Sequence, residues 1–200
     1  MIEVKNITYE RDEMPIINNL SFSVLRGSLL VITGENGQGK TTLLKLLAGI
    51  LFPQTGKIFW KNQAIQEDPE NFYRQINYIG HKSAVALPLT PEENLYFASR
   101  AYSLKITIPE ALATVNLQHK KTTPATHLSA GQIRRIALAK LFLLDTIVWL
   151  LDEPYTALDA KGTNWLQMHI QQHLDNQGIV IMTSHQPHGI KTHQIQEMRL

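Results

Sequence analysis

The residues best equipped for chemistry form one short stretch, Gly34-Glu35-Asn36-Gly37-Gln38-Gly39-Lys40-Thr41, followed by Thr42. Its spacing is G-x-x-x-x-G-K-S/T, in which glycines let successive backbone N–H groups close around phosphate oxygens. Lys40 would neutralise the β- and γ-phosphates of ATP, and the Thr41 hydroxyl would ligand Mg²⁺. A helix opening beside Thr41 would add its positive end to the same anion.

A second cluster lies far downstream, where the apolar run Ile147 to Leu151 stops abruptly at Asp152-Glu153-Pro154. Ligands of α/β sheets collect at the carboxyl ends of such strands. Asp152 is suited to hold Mg²⁺ through water, and Glu153 to orient and deprotonate an attacking water. Alone, two carboxylates after a strand read as a solvated turn; the phosphate loop upstream reverses that. His185 stands just beyond another apolar run, Ile179 to Thr183. His169 and His173 are four apart and share a helix face, but Gln171, Gln172 and Asp175 beside them predict a solvated face rather than a ligand pair.

These residues need a frame to bring them together. Apolar and polar residues alternate in Ile2 to Val4 and again from Leu20 to Val24, so the chain is expected to open with antiparallel β-structure. Leu29 to Ile32 reads as a strand buried on both faces, as parallel strands are, and the glycine loop follows it. Thr41 to Ile50 has a helical pattern, and Lys57 to Trp60 reads as a further strand. Thr90 with Glu93, Thr107 with Glu110 and Ser129 with Gln132 have capping-box spacing, so residues 90 to 144 are expected to be mostly helical. Ile147 to Leu151 and Ile179 to Thr183, separated by a helix from near Asp159, imply a parallel pair joined by a crossover.

Composition sets the outer limits. A chain of 200 residues fits one compact unit, here expected as a single domain over 1–200. A net charge of +2 gives no basic face to support nucleic-acid binding. The absence of cysteine excludes disulfides and thiol catalysis. Met1 to Lys5 lacks a secretory layout, and no apolar run approaches the ~20 residues of a membrane-spanning helix, so membrane attachment would come through a partner.

Leu128-Ser129-Ala130-Gly131-Gln132 resembles the Leu-Ser-Gly-Gly-Gln signature of ABC-type ATPases, with Ala130 in place of the first glycine. The order of phosphate loop, helical segment, signature, Asp152-Glu153, Ala157-Leu158-Asp159 and His185 matches that family over nearly the whole chain. The resemblance implies an α/β P-loop ATPase domain with a mostly parallel core sheet, an N-terminal antiparallel β subdomain and a helical subdomain inserted at about residues 82–144. It also implies a head-to-tail dimer with a second copy, in which Ser129, Ala130, Gly131 and Gln132 meet the ATP of the opposing subunit. Asp159 would then communicate across the dimer, and His185 would donate to the γ-phosphate. Ser129 with Gln132 is also explained by helix capping alone.

Two positions depart from the common pattern. His81, after Ile79-Gly80, stands where such domains usually carry glutamine at the entrance to the helical subdomain; an imidazole, unlike an amide, can take up a proton near neutral pH. Arg11 stands where an aromatic residue usually stacks on adenine, with Tyr9 on the same strand as a rival. Together with Glu10 to Glu13, Ala130 and Leu151 to Asp159, these make the chain similar to the ATP-binding subunits of cytochrome c maturation ABC complexes, often described as haem exporters. That implies a peripheral place on the cytoplasmic face of a bacterial inner membrane, with a polytopic membrane subunit and other maturation factors as partners. Another ABC transporter, or a soluble ABC-type ATPase acting on nucleic acid, is the alternative; the latter usually carries long coiled-coil insertions or a second ATPase domain.

Overall fold

The computed structural model describes residues 1–184, 189–190 and 194–200. Strands β1 (Ile2–Arg11) and β2 (Met14–Val24) form a hairpin whose turn residues, Asp12 and Glu13, have φ of 52° and 62°. Two left-handed residues give the turn a twist that matches the strands. β3 (Leu29–Thr33) leads through the glycine loop to α1 (Lys40–Leu47). β4 (Thr55–Trp60), β5 (Gln63–Ala64), α2 (Pro69–Tyr73) and β6 (Ile76–Ile79) follow. Next come α3 (Pro91–Ser99), α4 (Ile108–Thr114) and α5 (Ala130–Leu143), then β7 (Val148–Leu151), α6 (Ala160–Asp175), β8 (Ile179–Thr183) and β9 (Ile195–Arg199).

Among the described residues these strands make two sheets, an antiparallel one in the order β2-β1-β4-β5 and a five-stranded one in the order β6-β7-β8-β3-β9. Every pair in the second sheet is parallel, so the expected core sheet is parallel throughout. Its strands show how it is covered, because successive side chains point to opposite faces. Leu30, Ile32, Val148, Leu150, Ile179 and Ile181 pack on α1 and the antiparallel sheet. The alternate residues Leu29, Val31, Trp149, Leu151, Val180 and Met182 pack on α5 and α6. α1 is thus clamped between two sheets, with Leu43, Leu44, Leu46 and Leu47 fully buried. Truncating one of these to alanine is worth about 2–5 kcal/mol.

All three capping boxes form, at Thr90/Glu93, Thr107/Glu110 and Ser129/Gln132. Hydrogen bonds from Thr90 and Thr107 hold the Glu93 and Glu110 carboxyls below the usual range. α5 carries two apolar faces, Ala137, Leu138 and Leu141 on the parallel sheet and Ile136, Ala139 and Leu143 on a helical cluster with Leu95, Leu112 and Leu128. It is therefore the shared wall of the sheet and the helices between β6 and β7.

One expectation fails. His169 and His173 do not lie on a solvated face: His173 stacks on Trp149 at 3.8 Å between ring centroids, and His169 meets Phe142 and Trp165 edge-on. Of the hydrophilic neighbours, Gln171 and Asp175 bond each other, whereas Gln172 shares the histidine face, its Oε1 3.0 Å from His169 Nδ1, so a polar neighbour here serves a half-buried aromatic cluster.

Candidate functional site

The glycine loop arches from the end of β3 to the start of α1. Gly39 caps α1 with φ 93°, and a Cβ there would lie 2.6 Å from Ile16 Cγ2, so only glycine lets the loop close on β2. Gln38 Oε1 accepts from the Glu35 N–H at 2.7 Å. Lys40, only 7% exposed, donates from Nζ to the carbonyls of Gly34 at 2.7 Å and Glu35 at 2.8 Å. The loop thereby bends around its own lysine, with Asn36 and Gly37 exposed at the crest.

β7 delivers Asp152 and Glu153 to the same end of the sheet. Asp152 is 2% exposed, and each of its oxygens accepts a hydroxyl at 2.8 Å: Oδ2 from Thr41 and Oδ1 from Thr183. Thr183 in turn accepts the Glu153 N–H at 2.8 Å. A hydroxyl and a carboxylate brought together suit Mg²⁺, which usually takes one or two protein oxygens and fills its octahedron with phosphates and water. Among the described residues there is no group of three or more histidine, cysteine or acidic side chains that could hold a metal on its own. Burial, then the Asp152 charge, pushes the Tyr78 phenol up to about 12, which keeps it neutral beside the carboxylate.

Glu153 has a left-handed backbone, φ 45°. Its Oε2 lies 3.4 Å from the Thr156 hydroxyl and 3.7 Å from His81 Nδ1. A cavity of about 290 Å³ joins these parts, with the loop from Asn36 to Thr42 on one side, Glu153 facing it, and Arg11 and Ile16 from the hairpin at its mouth. Arg11 lines this cavity, whereas Tyr9 packs against the core between the sheets. A register shift in the β1–β2 pairing falls between Tyr9 and Glu10, so the rule of alternate residues sharing a face does not carry across it.

The remaining site candidates lie elsewhere. Ser129 caps α5, its Oγ accepting from the Gln132 N–H at 3.3 Å, and both Ser129 and Ala130 are exposed and outside the cavity. A Cβ on Gly131 would come to 3.0 Å from the Ala157 carbonyl, a tight contact, whereas the Ala130 side chain is exposed. Asp159 caps α6 by accepting from the Gly162 N–H at 2.7 Å and lies 3.8 Å from Arg135. His185 lies outside the described residues.

Two residues of the site were not legible in the motifs. Thr183 bridges the backbone of Glu153 to Asp152, and its signal was a lone polar residue ending the apolar run from Ile179. Arg134 is 3% exposed and donates to three carbonyls, those of Gly80, Asp152 and Glu153. Burial lowers its pKa, while Asp152 and Glu153 oppose that shift.

A phosphate loop between a buried parallel strand and a helix, facing an acidic strand end, defines a P-loop nucleotide-binding protein. The ABC transporter family profile matches residues 17–156, and the chain belongs to that family as an ABC-type ATPase. The cytochrome c biogenesis ATP-binding export protein CcmA of Aliivibrio fischeri is 40% identical over 202 residues, covering 100% of this chain and 99% of that protein. The protein of the same name from Escherichia coli K12 is 39% identical over 200 residues, covering 100% and 96%. Among solved structures, an ATP-binding subunit of an ABC transporter superposes with a TM-score of 0.83 at 27% identity, over 92% of this chain and 80% of that one. A dimeric ATP-binding cassette in a post-hydrolysis state bound to ADP and Pi has the same fold, with a TM-score of 0.80 at 22% identity over 93% and 88%.

Proposed function

We propose that the chain is the ATP-hydrolysing subunit of a membrane ABC complex that works in c-type cytochrome biogenesis, by exporting or handling haem. The observation that carries the hydrolytic reading is the cavity in which Lys40, Thr41 and Glu153 face one another, with Thr41 bonded to Asp152. The export reading rests on full-length similarity to proteins named as cytochrome c biogenesis ATP-binding export proteins.

Loop N–H groups between Gly34 and Thr42, together with Lys40, bind the β- and γ-phosphates of ATP. Thr41 and Asp152 hold Mg²⁺, which would supply charge neutralisation on the triphosphate. The Arg11 guanidinium stacks on adenine at the mouth of the cavity. Glu153 takes a proton from water as its oxygen attacks the γ-phosphorus, and the bond to the β-phosphate oxygen breaks. His81 orients that water from beside Glu153, and His185 donates to the γ-phosphate. A second copy arranged head to tail brings Ser129 to Gln132 against the same phosphates, with Asp159 carrying the state of one site to the other. The chain then sits peripherally on the cytoplasmic face of a bacterial inner membrane, held there by a polytopic membrane subunit and working with other maturation factors.

Replacing Glu153 by glutamine keeps the shape and removes the base. Glu153→Gln should cut ATP turnover by about 10²–10⁴-fold while leaving a Mg-ATP-bound dimer detectable by size-exclusion chromatography with light scattering. Near-normal turnover in that variant would sink the assignment. Co-purification from detergent-solubilised membranes of a stoichiometric polytopic subunit supports the transport reading, and recovery without one removes it.

A further inference from the structure

Arg134 lies in α5 soon after the cap at Ser129, and its side chain turns inward rather than toward solvent. Nη1 donates to the Gly80 carbonyl at 2.7 Å, and Nη2 donates to the carbonyls of Asp152 at 3.1 Å and Glu153 at 3.0 Å. Nε is buried without a hydrogen-bond partner. The guanidinium thus aims at main chain, where a residue serving only as an ion pair would aim at carboxylate oxygens.

The two carbonyls beyond Gly80 flank the residue whose placement decides the chemistry. Glu153 adopts φ 45°, a conformation that costs a non-glycine residue roughly 1–2 kcal/mol and persists only when its surroundings impose it. Thr183 holds its N–H, and Arg134 holds its carbonyl and the preceding one. The third carbonyl belongs to Gly80, next to His81, which lies 3.7 Å from the same Glu153 carboxylate. One planar cation therefore joins the signature helix, the strand end bearing Asp152 and Glu153, and the chain entering the helices beyond β6.

We propose that Arg134 is a positioning residue for hydrolysis: its guanidinium fixes the backbone of Glu153 and the approach of His81, and ties both to α5. This rests on the reading of Glu153 as the general base. Arg134 touches neither the loop nor the cavity, so it acts on the attacking water and not on nucleotide affinity.

The test uses the full chain with Arg134→Met and Arg134→Lys, each also made in the Glu153→Gln background. Measured are Mg-ATP affinity, steady-state kcat and KM, single-turnover rate and thermal unfolding. Arg134→Met should lower kcat by about tenfold or more with KM for ATP within about twofold of the parent, and should cost nothing further once Glu153 is glutamine. Arg134→Lys keeps the charge but not the planar fork, so it should show the same kcat deficit. Equal losses of affinity and kcat, or a full additional loss in the Glu153→Gln background, would make the residue merely structural and overturn the proposal. Loss of the fold in both variants does the same. Unchanged kcat in a folded Arg134→Met beside an inactive Glu153→Gln overturns this inference alone, whereas an active Glu153→Gln overturns the general-base reading beneath it.

Discussion

Lys40 shows how much one side chain does before any substrate arrives. Its ammonium joins the carbonyls of Gly34 and Glu35, so it shapes the loop as well as supplying charge to it. Lys40→Ala removes both, taking the ammonium from the Gly34 carbonyl, leaving the Glu35 carbonyl only its longer bond from the Gln38 N–H, and leaving no cation for the triphosphate. Mg-ATP affinity should drop by at least about tenfold, the scale of one charge-assisted contact, as read by isothermal titration or a fluorescent nucleotide. Unchanged affinity would overturn the phosphate-loop assignment. The residues legible in advance were those whose meaning is local: the loop spacing from Gly34 to Thr41, and carboxylates ending an apolar run at Asp152 and Glu153. Arg134 and Thr183 were not legible, because their partners, Gly80, Asp152 and Glu153, come to them only when α5, β7 and β8 pack.

Elements were legible where termini announce themselves. The three capping boxes form as their spacing predicts, because a cap is satisfied within its own turn. β6 and β9 are not legible in the sequence. β6 hides a polar residue in its short run, Asn77, whose amide is satisfied by the Lys140 carbonyl of α5. β9 is a sheet edge with exposed Gln196 and Glu197, and its partner β3 is nearly the whole chain away. α6 carries a pH-sensitive consequence that its sequence concealed. Burial, opposed by the bond to the Ile147 carbonyl and reinforced by Lys105, pushes His173 down to about 4. The folded state therefore keeps His173 neutral where the unfolded chain, with an ordinary value near 6.5, binds a proton. Above that ordinary value the group contributes nothing; as pH falls from it to about 4, stability is lost, up to about 3 kcal/mol. Thermal unfolding followed across this window should show the loss, and His173→Phe, which keeps the stack on Trp149, should flatten it. An unchanged slope in that variant would assign the acid sensitivity to other groups.

At the scale of the whole molecule, the parts gathered in the cavity and the part left outside it point the same way. Loop, Glu153 and Arg11 converge, with Asp152 bonded to Thr41 behind them, while Ser129 and Ala130 open α5 toward solvent, Ser129 bonding to Gln132 of its own capping box. If a second copy brings that helix start to the phosphates, stability and function can be driven in opposite directions at one position. Ala130 is the first residue of α5 and exposed. An aspartate there favours the helix dipole and should leave the fold unharmed or add about 0.3–1 kcal/mol. The same carboxylate would confront the γ-phosphate bound by the other subunit, where like charges repel across a desolvated interface. Ala130→Asp, made with Glu153→Gln so that ATP persists, should therefore melt no lower than its parent by calorimetry yet fail to form the Mg-ATP dimer by light scattering. With Glu153 intact it should bind Mg-ATP normally and hydrolyse it slowly. A variant that dimerises and turns over like the parent would remove the start of α5 from the partner's site, and a variant that melts early would show that the exposed helix start serves the fold instead.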